Sequence, residues 1–457
     1  MTSQTLERRR AVARVWRGEA MRVALASGAL LVLLAPALWN GYPLLQYDTG
    51  GYLARWYESY LVPSRSTVFG LFLHVGEGMS FWPEVAVQSV LTLWIIALVL
   101  RVFGLAGRPR LPATVAALAI LTALPWLTSI LLTDIFAGLG VLAFYLLVLR
   151  ADDLRRWERI ALFVLTAFSA ATHSATFVVL FALLAAAVLA AGRALVPLGG
   201  LMRGAGALAC GAAMLLAANF ALSGRLAWTP GGYGIAFGRM LQDGIVSRYL
   251  DDHCPNPNLR LCPYRKELPA SADEFLWGYG VFNDLGRFAG LGEEMRKIVL
   301  ASLVEYPGQQ AASALAAMLK QLTLVASGEG VHDGIMHTYG IMERFIPAEV
   351  PAMRAARQQR GELDIGALNR LQVPIALLSM LLTFVLAATL PRRREDLAML
   401  AATVALAVLA NAFVCGAVSG PHDRYGARLA WVATFVVIVA LLRAAGLVHR
   451  ESAALAP

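Results

Sequence analysis

Charge is scarce in this sequence: only 15% of its 457 residues are Asp, Glu, Lys or Arg, while 58% are hydrophobic and the mean hydropathy is +0.62. Too few polar residues remain to cover a soluble globule of this size, so the composition points to a polytopic membrane protein. Familiar soluble motifs are missing as well. There is no G-x-x-x-x-G-K-[ST] phosphate loop and no H-E-x-x-H, and the glycines of "GGYGIAFG" are wrongly spaced for a dinucleotide fingerprint. ATP hydrolysis and zinc proteolysis are thereby disfavoured. No internal repeat or inverted half marks a transporter. Cysteine is sparse, and its four copies leave no second pair to complete a zinc site around Cys254 and Cys262. The net charge of +9 does not indicate nucleic acid, because most of the clustered Lys and Arg lie in short gaps between apolar runs, where they set topology and meet headgroups.

What is present is a series of apolar runs. A membrane crossing needs roughly 17–25 mostly apolar residues, which predicts spans near 22–40, 83–104, 111–128, 133–149, 159–172, 174–192, 204–222, 370–390, 397–417 and 428–446. The expected fold is an all-α integral membrane protein of about ten transmembrane helices. The run 161–192 is too long for one crossing and short for two, so a hairpin is expected at Thr172-His173-Ser174. The basic N-terminus has no small-residue cleavage site leading into a polar domain, and reads as part of a retained first span.

Basic loops test this count independently. With the N-terminus inside, even-numbered crossings return to Arg101, Arg108 and Arg110, to "RADDLRRWER", to Arg193 and Arg203, to "PRRRED" at 391–396, and to Arg443 and Arg450. The short loops of the other parity hold fewer basic residues: Arg55 and Arg65, none beside His173, and Arg424. The expected location is therefore a bacterial-type cytoplasmic membrane with both termini cytoplasmic.

Three regions are expected: an N-terminal transmembrane module, 1–222; a mostly helical extracytoplasmic region, 223–369; and a C-terminal transmembrane module, 370–457. The middle region is interrupted by the Pro-rich "DDHCPNPNLRLCPYRKELPASADEF". Cys254 and Cys262 fall there, whereas Cys210 and Cys415 lie in spans, so a disulfide closing a short loop is expected in an oxidising compartment.

The candidate chemistry is a set of ionisable residues that the topology gathers at one membrane face. Asp48 lies in "PLLQYDTGGYL", after the first span, and Asp134 in "LTDIFAGL", at the start of the fourth. His173 is at the hairpin tip, and "GPHDRYGARL" brings His422, Asp423, Arg424, Tyr425 and Arg428 to the start of the last span. Ionisable groups beside hydrocarbon are costly unless paired or hydrated. Several on one side suggest a single polar cavity. Each has a plainer reading: Asp48 as a turn or N-cap residue, Asp134 as a helix cap, His173 as a hydrated turn, and Arg424, Tyr425 and Arg428 as interface anchors. Taken together, arginines and histidine suit a phosphate or pyrophosphate headgroup, and a carboxylate can accept a proton from an attacking hydroxyl. Those are the requirements of glycosyl transfer from a polyprenyl-phosphate sugar.

The acids in "QYDTGGYL" and "LTDIFAGL", the hairpin "LTAFSAATHSATFVVLFALL", the segment "LVEYPGQQAASALAAMLKQL" and the late "RY" resemble the GT-C superfamily of membrane glycosyltransferases. The resemblance covers the architecture of most of the chain through short, degenerate motifs. It implies a lipid-linked sugar donor at the outer membrane face, hexosyl or pentosyl transfer, Asp48 as catalytic base, and Arg424 as a donor-phosphate contact. Asp134 would be a second catalytic-site acid supporting the acceptor or, as in some members, a divalent metal. Asp48 is followed by Thr49 rather than by a second acid, which leaves metal dependence and activity open. Arg65, His173, His422, Tyr425 and Arg428 complete the expected substrate-binding set. The donor, an unidentified acceptor and the bilayer are the expected partners, and no nucleic acid is. The competing functions are a lipid-linked-saccharide transporter and a non-catalytic scaffold.

Two further stretches carry less weight. "GEGVHDGIMHTYG" sets Glu329, His332, Asp333 and His337 close together, as a metal site or as a solvated Gly-rich loop. "VPSRSTVFGLFLH" is an interfacial helix or a plain connector.

Overall fold

The computed structural model describes residues 3–107, 109–192, 196–390 and 395–454; the side chains of 3–18, 395 and 447–454 are not described. The expected topology signals at Arg108, Arg193 and 391–394, and the Arg450 side chain, lie outside the described residues.

The helices run in order as α1 Ser3–Asn40, α2 Thr49–Glu58, α3 Thr67–His74, α4 Trp82–Val102, α5 Arg110–Leu121, α6 Leu124–Ser129, α7 Asp134–Leu149, α8 Arg156–Thr172, α9 Ser174–Ala191 and α10 Leu198–Ser223. They continue as α11 Gly232–Gln242, α12 Ile245–His253, α13 Ala272–Trp277, α14 Val281–Asp284, α15 Arg287–Glu305, α16 Pro307–Thr323, α17 Met336–Phe345, α18 Val350–Ala355, α19 Ile365–Thr389, α20 Glu395–Phe413 and α21 Asp423–Ala454. Among the described residues the protein is all-helical, apart from one isolated parallel bridge between Leu44 and Ile130.

Among the described residues, seven helices are long and apolar enough to cross a membrane: the Glu19–Asn40 part of α1, α4, α9, α10, α19, Asp396–Ser419 and Asp423–Gly446. The other three expected spans are helical but shorter. Pro125 sits in the first turn of α6, where its ring fits, and the break before it splits 111–128 into α5 and α6. The freed Leu124 N–H is taken up by Thr122 Oγ1 at 3.2 Å. α8 has 17 residues and ends at Thr172; α9 starts at Ser174, with His173 between them.

α7 explains how a short helix can serve. Its residues 134–148 are all buried, so it is hydrophobic all round and wrapped by other helices. At 16 residues it spans about 24 Å, less than the ~30 Å hydrocarbon layer, but a helix shielded from lipid need not match that thickness. α4, α8, α9, α10, α20 and α21 pack around it.

At one end of the bundle, ion pairs join the basic loops. Arg101 grips Glu158 with two bonds of 2.7 and 2.6 Å, Arg150 pairs with Asp153 at 2.7 Å, and Arg443 pairs with Asp396. The region expected at 223–369 divides in two. α11 to α15 share a separate small core around Phe237, Ile245, Phe282 and Met295, and carry the Cys254–Cys262 disulfide. Residues from Val325 to Ile365 instead pack into the bundle core. α3 does not lie on the surface: Phe69 and Leu73 are buried, and Phe72 meets Phe136 and Phe168.

Candidate functional site

The site lies at the bundle end opposite the basic loops, and the Leu44–Ile130 bridge builds it. Leu44 N–H donates to Ser129 O and Leu131 N–H to Leu44 O, each at 2.9 Å, so two loops run side by side. Four residues past each bridge partner stands an acid, Asp48 after Leu44 and Asp134 after Ile130. Gln358 clamps the first loop, accepting from Leu45 N–H at 2.9 Å and donating to Leu45 O at 2.7 Å. Thr338 locks the start of α2, where Gly50 N–H donates to its hydroxyl at 3.0 Å.

Asp48 occupies the N-cap position of α2, yet its side chain caps nothing. One carboxylate oxygen pairs with Arg65, and the other accepts from Arg424 Nη1 at 2.8 Å. Its side chain is 6% exposed, those of Arg65 and Arg424 14% and 12%. Burial pushes the Asp48 carboxyl up, but the two guanidiniums outweigh it and hold the group below the ordinary carboxylate value.

Both arginines are held between aromatic faces. Arg65 stacks on Tyr52 at 5.6 Å and Trp277 at 5.7 Å; Arg424 stacks on Tyr47 at 5.7 Å and Tyr425 at 4.9 Å. Arg65 follows Ser64, whose φ of 62° is left-handed without being glycine, a conformation costing roughly 1–3 kcal/mol. Ser66 next caps α3 and donates to Ala171 O at 2.8 Å. A Cβ on Gly51 would stand 2.9 Å from Arg65 Nε, so glycine is what lets the guanidinium lie across α2. Gly50 likewise faces the Thr338 backbone, so the space beside both glycines is filled by the protein itself.

Asp134 opens α7 with its carboxylate 3.7 Å from Arg428 Nη1. Arg428 is fully buried, which removes the interface-anchor reading, and it donates through Nε to Asn411 at 2.9 Å. Its Nη2 reaches Cys415 Sγ at 3.1 Å on the π-helix Val414–Ser419. His173 Nδ1 accepts from Ala175 N–H at 3.2 Å, so it caps α9 with the ring proton on Nε2. Burial, together with Arg428, Arg424 and Arg65, keeps it well below the ordinary imidazole value and neutral. His422 bonds Glu329 at 2.6 Å, and Tyr425 is buried against the Arg424 guanidinium.

All eight sequence-predicted residues thus fall in one neighbourhood. Glu329 belongs with them: it accepts from Arg424 N–H at 2.9 Å and from His422, placing an acid at the N-terminus of α21. Burial raises its carboxyl, but His422 and Arg424 outweigh this and hold it below its ordinary value, while the Glu329 bond holds His422 above its own. The positive φ of Gly328 and Gly330, flanking Glu329, marks the turn that delivers it. The rest of that cluster disperses: His332 turns back on Gly334 N–H at 2.9 Å, and His337 and Asp333 are exposed. No group of three His, Cys, Asp or Glu suited to a metal occurs among the described residues, and Asp48 spends both oxygens on arginine. The residues therefore do not fit a metal.

Two clefts adjoin the arginines that bond Asp48, one lined by each. The first is narrow, with Leu127, Leu132 and Ile365 in its apolar wall and Asp134, Glu329 and Arg424 at its polar end. The second is lined by Ser64, Arg65, His173, Asn219, Trp228 and Thr229 among others. Fold and site together suit a multi-pass helical membrane protein with a buried cluster of acids and arginines at one end of its bundle. Compared with family models, with curated proteins and with solved structures, the chain matches none.

Proposed function

We propose that this chain is a membrane glycosyltransferase of GT-C type, moving a sugar from a polyprenyl-phosphate donor to an acceptor at the outer face of a cytoplasmic-type membrane. The observation that carries the reading is the apolar cleft ending on Arg424, whose guanidinium also bonds Asp48. Its wall is apolar, as an isoprenoid is, and its cationic end suits the phosphate that becomes the leaving group. A scaffold has no need to converge two buried acids and three arginines, and a carrier would place its charges at mid-membrane. The clustering of basic loops at the opposite end supports a cytoplasmic assignment for that end and for both termini.

In this reading Asp48 accepts the proton of the acceptor hydroxyl. Arg424 and Arg65 bind the phosphate, and Asp134 orients the acceptor or donor sugar. His173 offers Nε2–H to the second cleft, while His422, Tyr425 and Arg428 hold the arginine and acid side chains in place. Mass spectrometry of lipid extracts tests it: cells lacking the protein should accumulate a polyprenyl-phosphate sugar that the wild-type gene clears. An unchanged lipid profile contradicts it.

A further inference from the structure

The arrangement around Asp48 poses a difficulty for a base. A carboxylate with each oxygen on its own guanidinium is a poor proton acceptor, because both lone-pair faces are already engaged. The arginines are equally occupied, each stacked between aromatic rings and bonded to the acid. Every guanidinium of the site already faces a carboxylate, Arg65 and Arg424 that of Asp48 and Arg428 that of Asp134, so an incoming anion has to displace one. Each arginine borders a narrow cleft, Arg65 one and Arg424 the other.

From this geometry we infer that Asp48 stands in for the phosphate of the donor, and that donor binding creates the base: the phosphate takes Arg424 and Arg65 from Asp48, and the released carboxylate becomes free to take a proton. The inference rests on the glycosyl-transfer reading and adds its control. A phosphate presents several oxygens to two guanidiniums already held in place by Tyr47, Tyr425, Tyr52 and Trp277, so it replaces the carboxylate without moving either arginine far. The step then balances. The acceptor oxygen bonds the anomeric carbon as its proton passes to Asp48, and the bond from that carbon to the phosphate oxygen breaks. The electron pair leaves with the polyprenyl phosphate, whose new charge meets the same two arginines. Without donor the base stays tied, which prevents it from activating water and wasting the sugar.

The test is binding of farnesyl phosphate, with inorganic phosphate in parallel, to the detergent-purified full chain. Removing the competing carboxylate by Asp48→Asn should tighten farnesyl phosphate binding by about tenfold or more, and Arg424→Gln should weaken it. Equal or weaker binding by Asp48→Asn overturns the inference. Inorganic phosphate binding as tight as farnesyl phosphate would make the ligand a free anion and overturn the lipid-linked version. Should Asp48→Asn fail to fold, wild-type protein carrying isotope-labelled aspartate gives the same answer. Its infrared difference spectrum on adding farnesyl phosphate should show one carboxylate leaving arginine, and an unshifted band overturns the inference. Tighter binding by Asp48→Asn without any detectable transfer by the wild type would count against the enzyme and leave the exchange standing; transfer with unchanged affinity would do the reverse.

Discussion

Removing the two arginines from Asp48 one at a time should give strongly unequal costs. With both present, one buried carboxylate faces two guanidiniums, and the pairing carries an excess positive charge. Arg424→Gln or Arg65→Gln alone leaves a neutral pair, at a cost of about 1 kcal/mol for the lost bond and stacking. The double variant leaves a carboxylate that is only 6% exposed without a cation, which should cost a further ~3–5 kcal/mol. Adding Asp48→Asn to the double variant should recover most of that loss, since a neutral amide tolerates the site. The assay is thermal unfolding in detergent of the wild type, both singles, the double and the triple variant. Additive losses in the double variant, or no recovery in the triple, would refute the shared-carboxylate reasoning.

Gly51→Ala should shift Arg65, because the new methyl would stand 2.9 Å from Nε; a stability cost of about 1 kcal/mol with a larger loss of farnesyl phosphate affinity is expected by titration. The His422–Glu329 pair sets a pH dependence. Glu329 raises His422 above its ordinary value of 6.5, so the pair contributes fully below that pH and is lost as pH rises through the raised value. Asp273 at 3.6 Å and Arg424 also face the ring. The detergent melting temperature should therefore fall as the pH rises from 6.5 through the raised value, and His422→Gln should flatten the curve. Reducing Cys254–Cys262, which are eight residues apart, should cost about 2–3 kcal/mol, seen as earlier proteolysis of 237–306 than of the bundle.

The helical character of the chain was legible because twenty-residue apolar runs leave few alternatives, and the hairpin break at His173 followed from run length alone. The span count was less legible. Pro125 breaks 111–128, and α7 is short because it is buried on every side, a tertiary fact that hydropathy does not encode. At the site, topology placed Asp48, Asp134 and Arg424 at one end, but could not distinguish a cap from an ion pair. That distinction lies in where two side-chain oxygens point. Glu329 and Trp277 escaped the expected site because their segment was assigned to a separate outer region, whereas residues from Val325 onward pack into the bundle and Trp277 reaches Arg65 from the small core. The sequence signal for Glu329 is the Gly328-Glu329-Gly330 turn, which by itself reads as a metal site or a solvated loop.

The central claim is that Asp48 serves as the base of a sugar transfer. The most direct measurement is transfer from a polyprenyl-phosphate sugar in membranes carrying wild type or Asp48→Asn, at matched protein level and melting temperature. Loss of the general base should lower the rate by about 10²-fold or more. Transfer by Asp48→Asn at the wild-type rate would contradict the account.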